Sequence, residues 1–378
     1  MKKLLALGAC AAVALAVVAV TAAAGNPNTL TLAVYGDSPY LDKTHPTLPK
    51  NAEFLATPAF IQTINADPSI QEVVHVGDIH SGSEPCTKAY DQSIFNLWTA
   101  FQRPLIYTPG DNEWSDCTKT NEEPGSDNDN VVTHPDLPLE NLDLVRSIFF
   151  ANPGWTLGQH PMQVQSQGAP YVENVMWEQS KTVFVTLNIP GGSNNDIDPW
   201  YAKTHKTPWN PHQQQEMDAR TAADISWLDA AFAQAEADNA HSVVIVGQAD
   251  MWDTSDLPSH QTNYEPIIKA FADDATAYGN PVLYLNGDSH VYRSDDPLEQ
   301  GSSCYTESGV CPDDAWNQHP FYDVPNFHRI VVHGSSFPLE WLKLSIDPRA
   351  AWENEPSPTS WGPFSWQRET QAQLTPAS

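Results

Sequence analysis

Along this chain, short unbroken runs of apolar and β-branched residues alternate with longer stretches whose apolar residues recur at helical spacing. The runs are Leu30-Thr31-Leu32-Ala33-Val34, Val73-Val74-His75-Val76, Leu105-Ile106-Tyr107, Ser242-Val243-Val244-Ile245-Val246 and Val282-Leu283-Tyr284-Leu285. Each is bounded by turn residues, the pattern of buried parallel strands. Asn51 to Ile64 and Lys88 to Phe101 read as helices between the first three strands, so the chain opens as βαβ units do. Leu139 to Phe150 predicts another helix. Tyr171 to Trp177 and Thr182 to Ile189 predict a strand pair turned at Glu178-Gln179-Ser180-Lys181. Asp218 to Ala235, with Ile225, Leu228 and Phe232 at helical spacing, and Glu265 to Tyr278 each predict a helix leading into a strand. Arg329 to Val332 and Leu339 to Ser345 predict strands of a second sheet. The fold class is α/β.

Four of the runs end in Gly-Asp: Gly36-Asp37, Gly77-Asp78, Gly110-Asp111 and Gly287-Asp288, the last continuing as Ser289-His290. The carboxyl ends of strands in open α/β sheets line the ligand crevice. Glycine lets the chain turn sharply there and leaves the next carboxylate clear to reach a cation. A single Gly-Asp is an ordinary turn whose Asp caps its own backbone. Four of them, each closing a strand, predict a metal site.

The order Asp37, Gly77-Asp78, Gly110-Asp111-Asn112-Glu113, Gly247-Gln248, Gly287-Asp288-Ser289-His290 resembles the calcineurin-like metallophosphoesterase family over nearly the whole mature chain. The resemblance implies a four-layer α/β/β/α sandwich of two mixed sheets flanked by helices, covering residues 25–352. It also implies two divalent metal ions held on successive strand ends. Family motifs read Asp-x-His, Gly-Asp, Gly-Asn-His-Glu, Gly-His and Gly-His-x-His. Here Pro39 replaces the first histidine, Asp111-Asn112 replaces Asn-His, Gln248 replaces the fourth-motif histidine, and Asp288 replaces the first histidine of the fifth motif while His290 keeps the second. Carried over by position, Asp37, Asp78 and His290 would hold one metal and Asp78, Asp111, Gln248 and Asp288 the other, with Asp78 bridging. The oxygen-rich set favours manganese, magnesium or calcium, with iron or zinc the alternatives.

The implied activity is hydrolysis of a small phosphate monoester or diester by a metal-activated water. Two catalytic candidates follow. Asn112 stands where the family has its acid histidine, although an amide exchanges no useful proton at neutral pH. His80, two residues after Asp78, would close the gap in the first ligand set or act as the acid.

Two other readings compete. Gly36-Asp37-Ser38 looks like the nucleophile block of GDSL esterases, with Ser38 acylated, but the later Asp-x-x-His is missing. Asp288-Ser289-His290 is one residue short, and Asp42-Lys43-Thr44-His45 comes too early. A secreted, non-catalytic metal- or ligand-binding protein on the same scaffold is the other, for which thirteen tryptophans would suit a sugar-binding face.

Residues 1–24 read as a signal peptide: Met1-Lys2-Lys3, an apolar Leu4 to Val20, and Ala22-Ala23-Ala24 at the cleavage site. Export to the extracellular or periplasmic space follows, with an uncleaved N-terminal anchor as the alternative. No second run of membrane length follows, so no stable membrane insertion is expected after cleavage. Setting Cys10 aside leaves Cys86, Cys117, Cys304 and Cys311, an even number in an export context. Of the three pairings, Cys86 with Cys117 and Cys304 with Cys311 is preferred, since the first two follow neighbouring Gly-Asp turns and the last two bracket one short loop. A net charge of −29 repels polyanions, so no nucleic-acid partner is expected. Ser115 to Leu137 reads as a solvated acidic insertion, and its Asp127-Asn128-Asp129 lacks the glycine and terminal glutamate of an EF-hand loop. Residues 353–378 read as a Pro/Ser-rich tail with a loose end, onto which Trp361 and Trp366 could dock. Oligomeric state is not legible.

Overall fold

The computed structural model describes residues 29–41, 48–82, 84–117, 137–195, 200, 211–253, 261–311, 321–350, 352 and 357–371. The signal segment, Asp42-Lys43-Thr44-His45 and Asp127-Asn128-Asp129 lie outside the described residues, as does most of the acidic insertion.

Fifteen strands are described, in two mixed sheets. The first sheet contains β1 (Leu30–Tyr35), β2 (Glu72–His75), β3 (Leu105–Tyr107), β13 (Glu340–Ile346), β14 (Ser360–Trp361) and β15 (Phe364–Thr370). They run in the order β14-β15-β13-β1-β2-β3. The second contains β4 (Gln165–Ser166), β5 (Val175–Gln179), β6 (Thr182–Thr186), β7 (Ser242–Val246), β8 (Val282–Asn286), β9 (Arg293–Asp295), β10 (Tyr305–Thr306), β11 (Gly309–Val310) and β12 (Phe327–Val331). Their order is β11-β10-β9-β12-β8-β7-β6-β5-β4. The parallel strands are β1-β2-β3, which run to one edge of the first sheet, and β6-β7-β8-β12, which are central in the second.

The unbroken apolar runs follow from burial on both faces. In β1, Leu30, Leu32 and Val34 point into the layer between the sheets, where they meet Val244, Leu283, Leu285 and Ile330. Ala33 and Tyr35 point outward, onto α1 (Ala52–Ala66), α2 (Lys88–Trp98) and α3 (Leu137–Phe149), through Phe60, Ile64, Ile94, Trp98 and Phe149. The outer face of the second sheet is covered by α4 (Pro211–Ala237) and α5 (Glu265–Tyr278), which contribute Leu228, Phe232, Ile268 and Phe271. The result is the expected α/β/β/α sandwich. Helix ends follow local chemistry: the Thr87 side chain accepts from Tyr90 N at 3.2 Å at the start of α2, and Gly279 closes α5 in the left-handed region (φ 68°).

Three expectations change. Glu340–Ile346 does not join Phe327–Val331 in the second sheet; it pairs antiparallel with β1 in the first. The turn between β5 and β6 is tighter than expected, with Ser180 and Lys181 alone at positive φ. Trp361 and Trp366 do dock, both buried, but the segment around them is no loose tail: β15 adds to β13 over seven residue pairs, so the first sheet extends past residue 352. Both preferred disulfides, Cys86–Cys117 and Cys304–Cys311, are present. Among the described residues no helix is long and apolar enough to cross a membrane.

Candidate metal centre

The turns after β1, β2, β3, β7 and β8 lie at one end of the sandwich and bring Asp37, Asp78, Asp111, Gln248 and Asp288 together. Asp37, Asp78, Asp111 and Gln248 are buried, at 0 to 7% exposure, and Asp288 is partly exposed. Two of the glycines that precede a carboxylate have a second purpose besides turning. A Cβ on Gly110 would lie 2.0 Å from Asp78 Oδ1, and one on Gly287 would lie 2.2 Å from Asp37 Oδ2. Each of these glycines therefore makes room for the carboxylate of another strand. Asp37, Asp78 and Asp288 themselves sit at φ 47, 64 and 77°, a conformation that costs a non-glycine residue about 1–3 kcal/mol.

The hydrogen bonds divide the cluster into two halves. In one, Asp37 Oδ1 accepts from the Asp288 backbone N at 2.9 Å and lies 3.7 Å from His290 Nε2. Asp37 Oδ2 is buried without a donor. In the other, Asp78 Oδ2 accepts from Tyr40 OH at 2.7 Å, Asn112 Nδ2 at 2.8 Å and Gln248 Nε2 at 3.1 Å. Gln248 Nε2 also donates to Asp111 Oδ1 at 3.1 Å, while Gln248 Oε1 accepts from Gly191 N. Asp288 Oδ2 accepts from Asp250 N at 2.9 Å. Asp288 Oδ1 and Asp111 Oδ2 both abut Gly191, 2.6 and 3.0 Å from where its Cβ would be.

Electrostatics here run against ionisation. Burial, followed by the neighbouring carboxylates, raises the pKa of Asp37, Asp78 and Asp288 well above the usual carboxylate range. The donors named above are neutral amides, a phenol and backbone N–H groups. His290, partly buried and with His333 nearby, has its pKa lowered and is a neutral imidazole at neutral pH, with a lone pair for a metal.

Charge, donor chemistry and the unpartnered buried oxygen of Asp37 fit a hard divalent cation. Two features depart from the expected ligand sets. Gln248 turns its nitrogen, not its oxygen, toward the carboxylates. Among the described residues, no three His, Cys, Asp or Glu side chains form a ready metal cage.

The two catalytic candidates are placed differently. Asn112 is inside the cluster, its amide donating to Asp78 and to Tyr40 OH (2.8 Å). His80 is buried with Nδ1 on the Ser81 carbonyl at 3.2 Å and its ring edge-on to Tyr90; Nε2 has no partner, and no named contact ties it to the carboxylates. Glu113 braces the loop by accepting from Ile79 N (3.0 Å) and Tyr107 OH (2.8 Å). Tyr40 and Asp250 were not legible as site residues. Tyr40 carries no spacing signal, whereas Asp250 lies two positions beyond Gln248 and shared its strand end. For the serine-esterase alternative, His75 Nε2 meets the Ser38 carbonyl, not its hydroxyl. A Ser-His-Asp line exists elsewhere: Ser294 Oγ lies 3.0 Å from His328 Nε2, and His328 Nδ1 2.5 Å from Asp296 Oδ1. All three are sealed in the core, with Trp361 stacked on His328, so no substrate reaches them.

No protein-family model matches the chain, and no curated protein sequence matches it. Among solved structures it is similar to purple acid phosphatase PPD1 from yellow lupin seeds, at TM-score 0.42 and 11% identity over 91% of this chain and 52% of that one. It is also similar to a candidate 5'-nucleotidase from Staphylococcus aureus, crystallised with alpha-ketoglutarate, at TM-score 0.42 and 7% identity over 93% of this chain and 56% of that one. The chain spans about half the length of each of these two structures.

Proposed function

We propose that this chain hydrolyses a small phosphate ester with the help of a divalent cation bound at the Asp37 end of the carboxylate cluster. The observation that carries this reading is Asp37 Oδ2: a buried carboxylate oxygen with no donor, set among other buried carboxylates at the ends of parallel strands in two facing sheets. Buried charge of one sign is stable only when paired, and the partly exposed His290 beside Asp37 marks the side from which a substrate would approach.

Asp37, Asp78 and His290 would hold the ion, and Asp111 and Asp288 add negative charge beside it. A cation there supplies charge neutralisation for a phosphate and lowers the pKa of a water. Asn112 and Tyr40 hold Asp78 in place through its Oδ2. Neither relieves the leaving group of its charge, since the Asn112 amide is committed to Asp78 and Tyr40. Esters with good leaving groups are therefore the preferred substrates. Selection falls to the loops: the hairpin closed by Cys304–Cys311 carries Glu307, 4.0 Å from His333 at the His290 side of the crevice.

The test is a panel of phosphate esters, including p-nitrophenyl mono- and diesters, assayed with and without chelator. Turnover should vanish on chelation, return with manganese, and be absent in Asp37→Asn. Turnover that survives chelation would sink the metal reading. Metal uptake with no turnover of any ester would favour a metal-binding protein, a reading that the committed amide of Asn112 supports.

A further inference from the structure

The two halves of the cluster differ in what they leave open. At the Asp37 half, one carboxylate oxygen has no donor and the His290 imidazole nitrogen is 3.7 Å from the other oxygen. At the Asp78–Asp111 half, the Gln248 side-chain nitrogen stands between the two carboxylates, 3.1 Å from an oxygen of each. That is where a cation shared by the two would have to be.

The orientation of this amide is fixed from behind. Gln248 Oε1 accepts from the Gly191 backbone N–H, which can only donate. Turning the amide over would set two donors against each other at Gly191 and an oxygen against two carboxylates. Asp78 Oδ2 is also saturated, because a carboxylate oxygen has two lone pairs and this one meets three donors, from Tyr40, Asn112 and Gln248.

We propose that this chain binds one divalent cation, at the Asp37–His290 half, and that the amide of Gln248 occupies the place of a second. Neutral N–H and O–H donors then do for Asp78 and Asp111 what another cation would do. The inference rests on the metal reading above and specifies its stoichiometry.

It is tested on the full-length mature protein, stripped with chelator, exchanged into buffer, loaded with manganese and passed through a desalting column. Bound manganese is counted by elemental analysis, and its electron paramagnetic resonance spectrum is recorded. Wild type should retain one ion per chain, with the six-line spectrum of an isolated manganese(II). Asp37→Asn should retain none. Gln248→His, which exchanges the two-carboxylate donor for an imidazole, should raise the count to two and give a spin-coupled spectrum. Gln248→Glu, close in shape, should do the same if the histidine variant folds poorly. Two ions in wild type would overturn this inference and leave the hydrolase reading standing. No ion in wild type would overturn the metal reading itself. One ion in both folded Gln248 variants would show that the amide is not what excludes the second.

Discussion

Two buried groups of charged side chains meet at Asp250. On the side-chain face of Asp250, Arg329 donates to Oδ1 and Arg293 donates to Oδ2 at 3.3 Å. Arg329 also forks onto Asp295 through two bonds of 2.8 Å. Two carboxylates thus face two guanidinium groups in a fully buried network, and the Arg329 pKa is raised by the carboxylates against the effect of burial. On the backbone face, Asp250 N–H holds Asp288, a member of the other group. There, Asp37, Asp78, Asp111 and Asp288 face amides, a phenol and an imidazole. The fold supplies its own counter-charge where charge serves packing. Where carboxylates close the strand ends, it supplies neutral donors and leaves one oxygen bare.

The largest expected effect comes from unbalancing the paired group. Arg329→Met leaves Asp250 and Asp295 buried with one fewer cation, and breaking a buried pair by removing one partner costs about 3–5 kcal/mol. Urea denaturation of the chelated protein measures it. A loss below about 1 kcal/mol, the value of a surface pair, would show that water reaches this network and would erase the contrast with the carboxylate cluster.

The opposite sign is expected at the bare end. In chelator, Asp37→Asn removes a carboxyl whose ionisation is opposed by burial and by its neighbours, while its oxygen still accepts from Asp288 N–H, so the variant should be more stable than wild type. Manganese at a hundred times its dissociation constant should then stabilise wild type by about 2.7 kcal/mol and the variant hardly at all. Thermal melts of both proteins with and without manganese give four midpoints. If Asp37→Asn is the less stable protein in chelator, the cluster is already neutralised and the comparison fails.

The division between legible and illegible follows the same physics. β1, β2, β3, β7 and β8 were readable because a strand buried on both faces must be apolar throughout. β9, Arg293-Ser294-Asp295, is equally buried yet resembles a loop, because its charges are neutralised by Arg329 and Asp250, which are distant in sequence. The place of β13 beside β1 has no local signature, and the alternation of Phe364 and Trp366 in β15 was masked by its Pro- and Ser-rich flank. In the site, the four Gly-Asp steps announced themselves because the glycine precedes the carboxylate it serves. What each carboxylate meets did not: the facing of Gln248 is decided by the Gly191 backbone, and Tyr40 reaches Asp78 only through the turn after β1.

Glu72 offers a third way to bury a carboxylate, and its effect is read as a slope with pH. It lies in β2, 2% exposed, with Oε2 accepting from Trp177 Nε1 of the other sheet at 3.1 Å and Oε1 without a partner. Neither arginine nor cation is at hand, and burial raises its pKa to about 7, against the lowering effect of the Trp177 bond. The side chain is then neutralised by a proton. Between the unfolded value of about 4.5 and about 7 the folded chain holds a proton that the unfolded chain has lost. Stability from this group is therefore full below that window and is lost as pH rises through it, with a slope of at most about 1.4 kcal/mol per pH unit. Glu72→Gln keeps an acceptor for Trp177 and cannot titrate, so the variant should gain on wild type from pH 5 to pH 8 and then run parallel to it. Urea midpoints across that range measure the difference, which cancels the titration of every other group. A difference that stays constant with pH would mean that Glu72 is ionised in the fold, and that the space between the sheets tolerates a bare charge as the carboxylate cluster does not.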